Sequence, residues 1–258
     1  MIEDITILYD SVYLPQLDEW YVYEFGADTT FSYTCQTQFL ECGDPVNYQG
    51  YDYATVLIGE DCWFAENLKC ENYRNGDSIP SHLSDEEWRF SEAGAVSFYG
   101  QHDLPCTDAS MGINACDSAV AIAVYGRLYN GLAVRDERKL CPAGWEVSNT
   151  SQWESLEAAI TDGIQLMSSQ YWNGLQGLDV YGFDGRPGGY RDADGGGSNQ
   201  YGEDAGMIGA WWFIDAYDAT HQEVGVLGQS FNSHPNFYID YAEFEFGLSV
   251  RCVKTDSQ

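Results

Sequence analysis

Basic side chains are scarce in this sequence: 11 Lys and Arg stand against 41 Asp and Glu, which gives a formal net charge of −30. Because such a surface repels phosphate groups, the scarcity argues against nucleic acid and anionic membranes as partners. The acidity is typical of a surface that stays soluble, and cation binding is the alternative explanation.

Targeting and catalytic motifs are also lacking. The amino end, MIEDITILYDS, has neither the basic start nor the apolar core of a signal peptide, and no apolar run predicts membrane insertion. No CxxC pair supports zinc, and no nucleophile elbow supports a serine triad. No HxxxH or HxE spacing connects the four histidines, His82, His102, His221 and His234. We therefore expect neither enzymatic activity nor a resident cofactor.

Eight cysteines, an even number, indicate an oxidised framework of up to four disulfides. If CWFAENLKC is mostly strand, Cys62 and Cys70 lie roughly 25 Å apart at ~3.3 Å per residue, which is too far for a disulfide. Two pairs flank short segments and can close local loops, and a third joins a corner in the middle of the chain to the last predicted strand. The predicted pairs are Cys35–Cys42, Cys106–Cys116 and the long-range Cys141–Cys252.

The run from residue 125 to 160 predicts a strand, a disulfide-anchored turn and a capped helix. RLYNGLAV alternates like a half-buried strand, and the corner CPAG turns Trp145 and Val147 inward. Asn149 and Gln152 form a capping box at the start of the helix. Its apolar stripe needs a sheet to pack against, because a single short helix is not stable in water. The stripe consists of Trp153, Leu156 and Ile160.

The remaining segments predict mostly strands and loops. YATVLIG and CWFAENL form a β-hairpin, with Glu66 and Asn67 either capping the strand end or forming a polar active pair. Ser84 and Glu87 form a second capping box before a short helix that contains Trp88. SAVAIAVYG fits a strand, although periodicity does not exclude a buried helix. WWFI and GLSVRCV are strands, and we expect Trp145, Trp153 and Trp211 to share one core.

Residues 1–45 are expected to form a β-rich extension, and residues 46–258 the main domain. EWYVYEF and TFSYTCQTQFLEC are rich in aromatic residues and threonine, and they predict two or three strands. These strands either pack on the main domain or act as an assembly arm that docks on a neighbour, since exposed edge strands pair readily.

Several ordered motifs give the chain a family resemblance: YGRLYN, LCPAGWEV, a tryptophan four residues into the next helix, and GLSVRCV near the end. YATVLIGEDCWFAENL, YRNGDSIP and the GGYR segment extend the match over roughly residues 46–254. In these motifs the chain resembles the Fibrobacter succinogenes major paralogous domain family of bacterial surface and secreted proteins, which is similar to C-type-lectin-like proteins.

The resemblance implies an α+β fold: a C-type-lectin-like domain with twisted antiparallel sheets, two short helices, long glycine-rich loops and disulfides. In lectin-like relatives the loops and strand ends before the closing strand form the recognition face, which matches residues 215–246 here. Rings with a polar tip suit that role, and the alternative is that they fill the core. The predicted ligand-binding residues are Tyr217, His221, Phe231, His234, Asn236, Tyr238 and Tyr241.

A bound calcium ion is the alternative to the absence of a cofactor. Asp192, Asp194, Gly197 and Glu203 occupy positions of a loop that resembles an EF-hand loop. Gly196 replaces one ligand and no flanking helices are predicted, so a solvated loop is the alternative. The sugar-and-calcium motifs of true C-type lectins are missing.

Two functions follow from these features. The first is a non-catalytic recognition or adhesion module that binds a glycan or a protein on another surface through its C-terminal loops. The second is a structural or decoration subunit of a cell-surface assembly or virus particle, which self-assembles through residues 1–45. A formylglycine-generating type of oxidase is a further alternative, although the paired cysteines that hold copper in those relatives are not reproduced here.

We expect an extracellular protein, on a cell surface or a virus particle. Three explanations account for a disulfide framework in a sequence without a signal peptide: the signal peptide was removed, the chain is exported by another route, or it is oxidised after assembly onto a particle.

Overall fold

The structure is a computed structural model that describes residues 9–14, 19–24, 41–101, 113–114, 116–192, 205–229 and 235–255. It divides into two compact units, Met1–Glu41 and Cys42–Gln258. In the first unit, β1 (Tyr9–Leu14) and β2 (Glu19–Glu24) form an antiparallel pair. The second unit begins slightly before residue 46, because the Gly43 N–H donates to Thr55 Oγ1 at 2.8 Å and ties this stretch to the main domain.

The second unit combines short antiparallel strands with short helices, which confirms the α+β class. Its strands are β3 (Val46–Tyr48), β4 (Tyr51–Tyr53), β5 (Thr55–Ile58), β6 (Asp61–Phe64), β7 (Val96–Ser97), β8 (Leu128–Asn130), β9 (Trp145–Val147), β10 (Ile208–Ala216), β11 (His221–Gln229), β12 (Pro235–Glu243), β13 (Gly247–Leu248) and β14 (Cys252–Lys254). Its α-helices are α1 (Asp85–Arg89), α2 (Ser118–Tyr125), α3 (Gly131–Val134) and α4 (Thr150–Ala159), and a 3₁₀ turn covers Gly163–Gln165. Two helices were expected, and the described ranges contain four. None of the helices in these ranges has the length and apolar character needed to cross a bilayer.

The described strands of this unit form four sheets: β5-β6-β14-β9, β10-β11-β12, β13-β8-β7 and β3-β4. The closing segment GLSVRCV is divided between two of them, since β13 pairs with β8 and β14 lies between β6 and β9. The prediction of one closing strand is therefore wrong. Ser249, Val250 and Arg251 connect the two sheets and are buried on every side.

The main core lies against α4. Trp153 is fully buried, and its ring stacks against those of Phe213 and Phe237 at 5.3 Å between centroids in both cases. Trp63 meets it edge-on at 4.9 Å, and Trp211 lies 5.8 Å away. Asn149 and Gln152 form the expected capping box, so the predicted helix and the packing of its stripe on a sheet are confirmed.

Trp145 is buried but packs elsewhere. Its ring faces Phe64 at 4.7 Å between centroids, and Phe64 stacks on Tyr53. Phe64 and Trp63 are neighbours on β6, so their side chains point to opposite faces of the sheet. The prediction of one core for the three tryptophans is therefore wrong for Trp145.

Two apolar runs form helix where strand was expected. RLYNGLAV holds only the short strand β8, because the Asn130 side chain accepts hydrogen bonds from the N–H groups of Ala133 and Ala95, both at 2.9 Å, and starts α3. SAVAIAVYG forms α2, the alternative that periodicity left open. Asp117 caps its first turn, and Gly126, at φ 76°, ends it.

Two further local predictions are confirmed. β5 and β6 pair as an antiparallel hairpin around Gly59 and Glu60. Ser84 and Glu87 form a capping box at α1, which buries Trp88 and ends at Arg89.

The long-range disulfide has the predicted partners: Cys141 and Cys252 are bonded, with their Cα atoms 5.8 Å apart. Cys141 lies in the corner before β9, and Cys252 is the first residue of β14. The strands β9 and β14 also pair directly through their backbones. The disulfide therefore fastens the last described strand to the middle of the chain.

The prediction of Cys35–Cys42 is wrong, because Cys42 bonds to Cys62 at a Cα separation of 5.7 Å. The hydrogen bond from Gly43 to Thr55 holds Cys42 beside the β5-β6 hairpin, and Cys62 lies on β6 of that hairpin. Cys70 is free and buried. Cys116 is disulfide-bonded, while Cys106 and Cys35 lie outside the described residues.

Candidate functional site

The sheet of β10, β11 and β12 has one face in the core and one face turned outward, because side chains alternate along each strand. Gly225 in the central strand makes the close packing of the core face possible, since a Cβ there would approach the rings of Phe213 and Phe237 to 3.0 Å. The core face carries Trp211, Phe213, Leu227 and Phe237. The outward face is buried on β10 and β11, at Ala210, Trp212 and Val224, and is exposed on β12 at Tyr238 and Asp240. Its cleft-lining residues are Ala210, Val224, Val226, Tyr238, Asp240 and Ala242.

The outward face forms one wall of a cleft of about 520 Å³. The chain around Arg191 and Gly247 builds the other wall, where the N–H of each residue donates to the carbonyl of the other at 2.8 Å. This pairing sets the Tyr190 and Phe246 rings side by side, 5.9 Å apart between centroids. The remaining lining residues are Asp192, Ile208, Leu248, His221, Tyr241 and Glu243.

A stacked pair of tyrosines stands at the rim of this cleft. The Tyr217 and Tyr241 rings are 4.5 Å apart and nearly parallel, at 9°. The His221 ring meets Tyr241 edge-on at 5.3 Å. Tyr217, Tyr241 and Tyr238 are 56%, 52% and 44% exposed. These rings therefore do not fill the core, which was the alternative to a recognition face.

The turn between β10 and β11 is held by Asp218. Its Oδ1 accepts hydrogen bonds from the N–H groups of Thr220 at 2.7 Å and His221 at 2.8 Å. The bond from the Thr220 N–H, together with the contact from the His221 ring, holds the pKa of Asp218 well below its usual range. Asp218 stays ionised and fixes the His221 ring at the rim, with Nδ1 at 3.0 Å.

Tyr238 and Asp240 meet on the outward face of β12. Partial burial raises the pKa of Tyr238, and the negative charge of Asp240 adds to the effect. Asp240 Oδ1 accepts a hydrogen bond from the Tyr241 N–H at 2.9 Å. The cleft therefore combines an uncharged phenol with a carboxylate on one strand.

The sequence model of the Fibrobacter succinogenes major domain matches residues 56–254, which is most of the chain. The chain belongs to this family. No curated protein and no solved structure gives a significant match. The match includes α4, the Cys141–Cys252 bond and the whole cleft, whereas β1 and β2 lie outside the Fibrobacter succinogenes major domain.

Within this domain the structure brings four of the seven predicted ligand-binding residues together. His221, Tyr238 and Tyr241 line the cleft, and Tyr217 stacks on Tyr241 at its rim. Asn236 is exposed at the other end of β12, beside Gly163. Phe231 and His234 lie outside the described residues.

The sequence predictions missed the carboxylates Asp240 and Glu243 and the second wall, Tyr190 and Phe246. Alternation along β12 was the available signal for Asp240, since it places residues 238, 240 and 242 on one face. No local pattern pairs Tyr190 with Phe246.

The calcium prediction falls mostly on residues that are not described. Asp192 lines the cleft, while Asp194 and Glu203 lie outside the described residues. Within the described ranges, no three His, Cys, Asp or Glu side chains are grouped to hold a metal ion.

Asn67 and Glu66, which the sequence offers as a polar pair, bond to different partners. The buried Asn67 amide bonds to Trp211, Arg251, Tyr125 and Ser249. Glu66 pairs instead with Lys69.

Proposed function

We propose that this member of the Fibrobacter succinogenes major domain family is a non-catalytic recognition module whose ligand face is the cleft and its aromatic rim. The observation that carries the proposal is the exposed, stacked pair Tyr217 and Tyr241 at the mouth of the cleft. Flat rings with polar tips supply contact area at a low cost in conformational entropy, and they suit both glycan and protein ligands.

The rigidity of the cleft supports this proposal. Its floor is the reverse side of strands whose other face packs on Trp153, and its second wall is fixed by the paired backbones at Arg191 and Gly247. A face that is ordered before the ligand arrives loses little entropy on binding.

Surface display and a C-type-lectin-like fold belong to the same proposal. The disulfides indicate an oxidising environment. Antiparallel sheets and a bond between the middle of the chain and β14 are features that such a fold shares. We infer that the domain faces the outside of a cell or particle.

The double variant Tyr217→Ser/Tyr241→Ser tests the ligand face. We expect attachment of the labelled protein to cells and to a glycan array to fall at least about tenfold, because the stacked rings supply the rim contacts. The melting temperature should change by less than about 2 °C, since both rings are half exposed.

Tyr51→Ser is the matched control, because Tyr51 is also a partly exposed tyrosine but lies on the separate β3-β4 sheet. It should attach like the parent protein. Full attachment by the double variant would place the recognition face elsewhere on the chain.

The proposal assigns no catalytic step and no metal to recognition. Attachment should then be the same in EDTA as in calcium. A loss in EDTA that calcium restores would direct attention to the loop that contains Asp192, Asp194 and Glu203.

Assembly is a second candidate, favoured by the separate unit that contains β1 and β2 outside the family match. Native mass measurement of the intact chain over a wide dilution range distinguishes the two. A discrete monomer supports recognition, and an oligomer that persists on dilution supports self-assembly.

A further inference from the structure

The charge of the cleft lining is one-sided. Asp192, Asp240 and Glu243 line it, and neither lysine nor arginine does so among the described residues. No described residue donates a hydrogen bond to the Glu243 carboxylate, and Asp240 accepts one through a single oxygen. The field of a chain with a net charge of −30 reinforces this local charge.

Aromatic rings stand beside these carboxylates. Tyr190, Tyr238, Tyr241 and Phe246 line the cleft together with Asp240 and Glu243. Ring faces attract cations, and the attraction is strongest where water is excluded. Rings and carboxylates around one space are therefore suited to an ammonium or guanidinium group.

The same chain uses this combination internally. Arg191 lies 4.4 Å from the centroid of the Trp88 ring and 3.0 Å from Asp85. Arg138 likewise lies 4.0 Å from the Tyr73 ring centroid and 2.7 Å from Asp136. Each of these places holds a ring, a carboxylate and an arginine. The cleft lining also combines rings with carboxylates, and it contains neither lysine nor arginine among the described residues.

We propose that the cleft takes a lysine or arginine side chain of a protein partner, with the cationic group beside Asp240 and the Tyr238 ring, and with Glu243 adding negative charge from the end of β12. This inference rests on the proposed function and names its ligand class. β12 is the outer strand of its described sheet, so its edge beside the cleft can pair with an extended peptide. A free amine or a sugar gains nothing from that edge, which favours a protein as the source.

The test is an NMR titration of the full chain with acetylated, amidated Thr-Val-Arg-Val-Thr, and with the same peptide carrying lysine or glutamine at its centre. We expect the amide signals of residues 238–243 to shift with the arginine and lysine peptides, at an affinity at least about tenfold above that of the glutamine peptide. The affinity should fall as salt rises, because the contact is between charges.

Asp240→Asn/Glu243→Gln should weaken arginine-peptide binding at least about tenfold. Glu154→Gln/Glu157→Gln, which removes two exposed charges from α4, should change it less than about twofold. Equal binding of the arginine and glutamine peptides, or an unaffected cleft variant, overturns the inference. If glucosamine or spermidine shifts these signals and none of the peptides does, the ligand is a small amine and the inference of a protein partner is overturned.

The two proposals fail separately. If Tyr217→Ser/Tyr241→Ser abolishes attachment while Asp240→Asn/Glu243→Gln leaves it intact, the recognition face stands and the cationic ligand does not. If the aromatic variant attaches normally, the proposed function itself fails.

Discussion

One amide side chain connects the hairpin, the closing segment and the main core. Asn67 Oδ1 accepts hydrogen bonds from Trp211 Nε1 and Arg251 Nε, both at 2.8 Å. Its Nδ2 donates to the Tyr125 carbonyl at 2.8 Å and to Ser249 Oγ at 3.1 Å. All four hydrogen-bonding positions of this buried amide are used, so each partner depends on it.

Asn67→Leu should therefore lower the free energy of unfolding by at least ~3 kcal/mol, because it leaves several buried polar groups without a partner at ~1–3 kcal/mol each. Urea unfolding followed by tryptophan fluorescence measures the loss. Asn75→Ala, in an exposed turn, serves as the control and should cost less than ~1 kcal/mol. Equal losses in the two variants would contradict the role given to Asn67.

Cys70 should be inert in the folded protein. Burial raises the pKa of its thiol to about 12, so almost no thiolate forms at neutral pH. We expect iodoacetamide at pH 8 to leave Cys70 unmodified until denaturant is added, as read by peptide mass mapping. Rapid labelling of the native protein would show that this part of the core opens.

At the scale of elements, α4 is the helix on which the main core depends. Trp153→Ala should reduce the free energy of unfolding by ~3–5 kcal/mol, since it empties a fully buried site beside Phe213, Phe237 and Trp63. The neighbouring Glu154→Ala, on the exposed side of α4, should cost less than ~0.5 kcal/mol. Differential scanning calorimetry distinguishes the two.

The sequence predicts elements well where the signal is local. The capping boxes at Asn149 and Ser84 each lie within four residues, and both helices form where expected. RLYNGLAV was misread because the side chain of Asn130 starts a helix turn in the middle of an alternating run. The capping hydrogen bond of the Asn130 side chain decided that case, and periodicity did not.

The site was harder to predict, because its parts are distant in sequence. Tyr217, His221 and Tyr241 come from one segment, so composition indicated them. Tyr190 and Phe246 meet only through a backbone pairing across the fold, which no local pattern encodes. The partner of Cys42 likewise depended on how residues 42–44 lie beside the hairpin.

At the scale of the whole molecule, the disulfides close loops of different length. Cys141 and Cys252 are separated by 111 residues, and Cys42 and Cys62 by 20. In the chain-entropy account, breaking the long loop should cost ~4–5 kcal/mol and breaking the short one ~3 kcal/mol. Paired Cys→Ala variants compared by urea unfolding check the order, and a larger loss from the short loop would contradict it.

The surface of the molecule is more negative than its composition suggests, because some of its basic charge is buried. Arg251, one of its 11 basic side chains, is fully buried and bonds to Asn67 and to backbone carbonyls, so its charge neutralises no carboxylate at the surface. In colloidal terms the particle is a concentrated polyanion. Raising the salt from about 0.02 M to about 0.5 M should increase its melting temperature, because counter-ions screen the repulsion within the folded state.

The net negative charge also determines how copies of the chain interact with one another in solution. Light scattering at low salt should give a positive second virial coefficient that falls as salt is added, because like-charged copies repel over about one Debye length. Copies crowded on one surface would then share a dense layer of counter-ions, and the ionic strength of the medium would set the spacing between them.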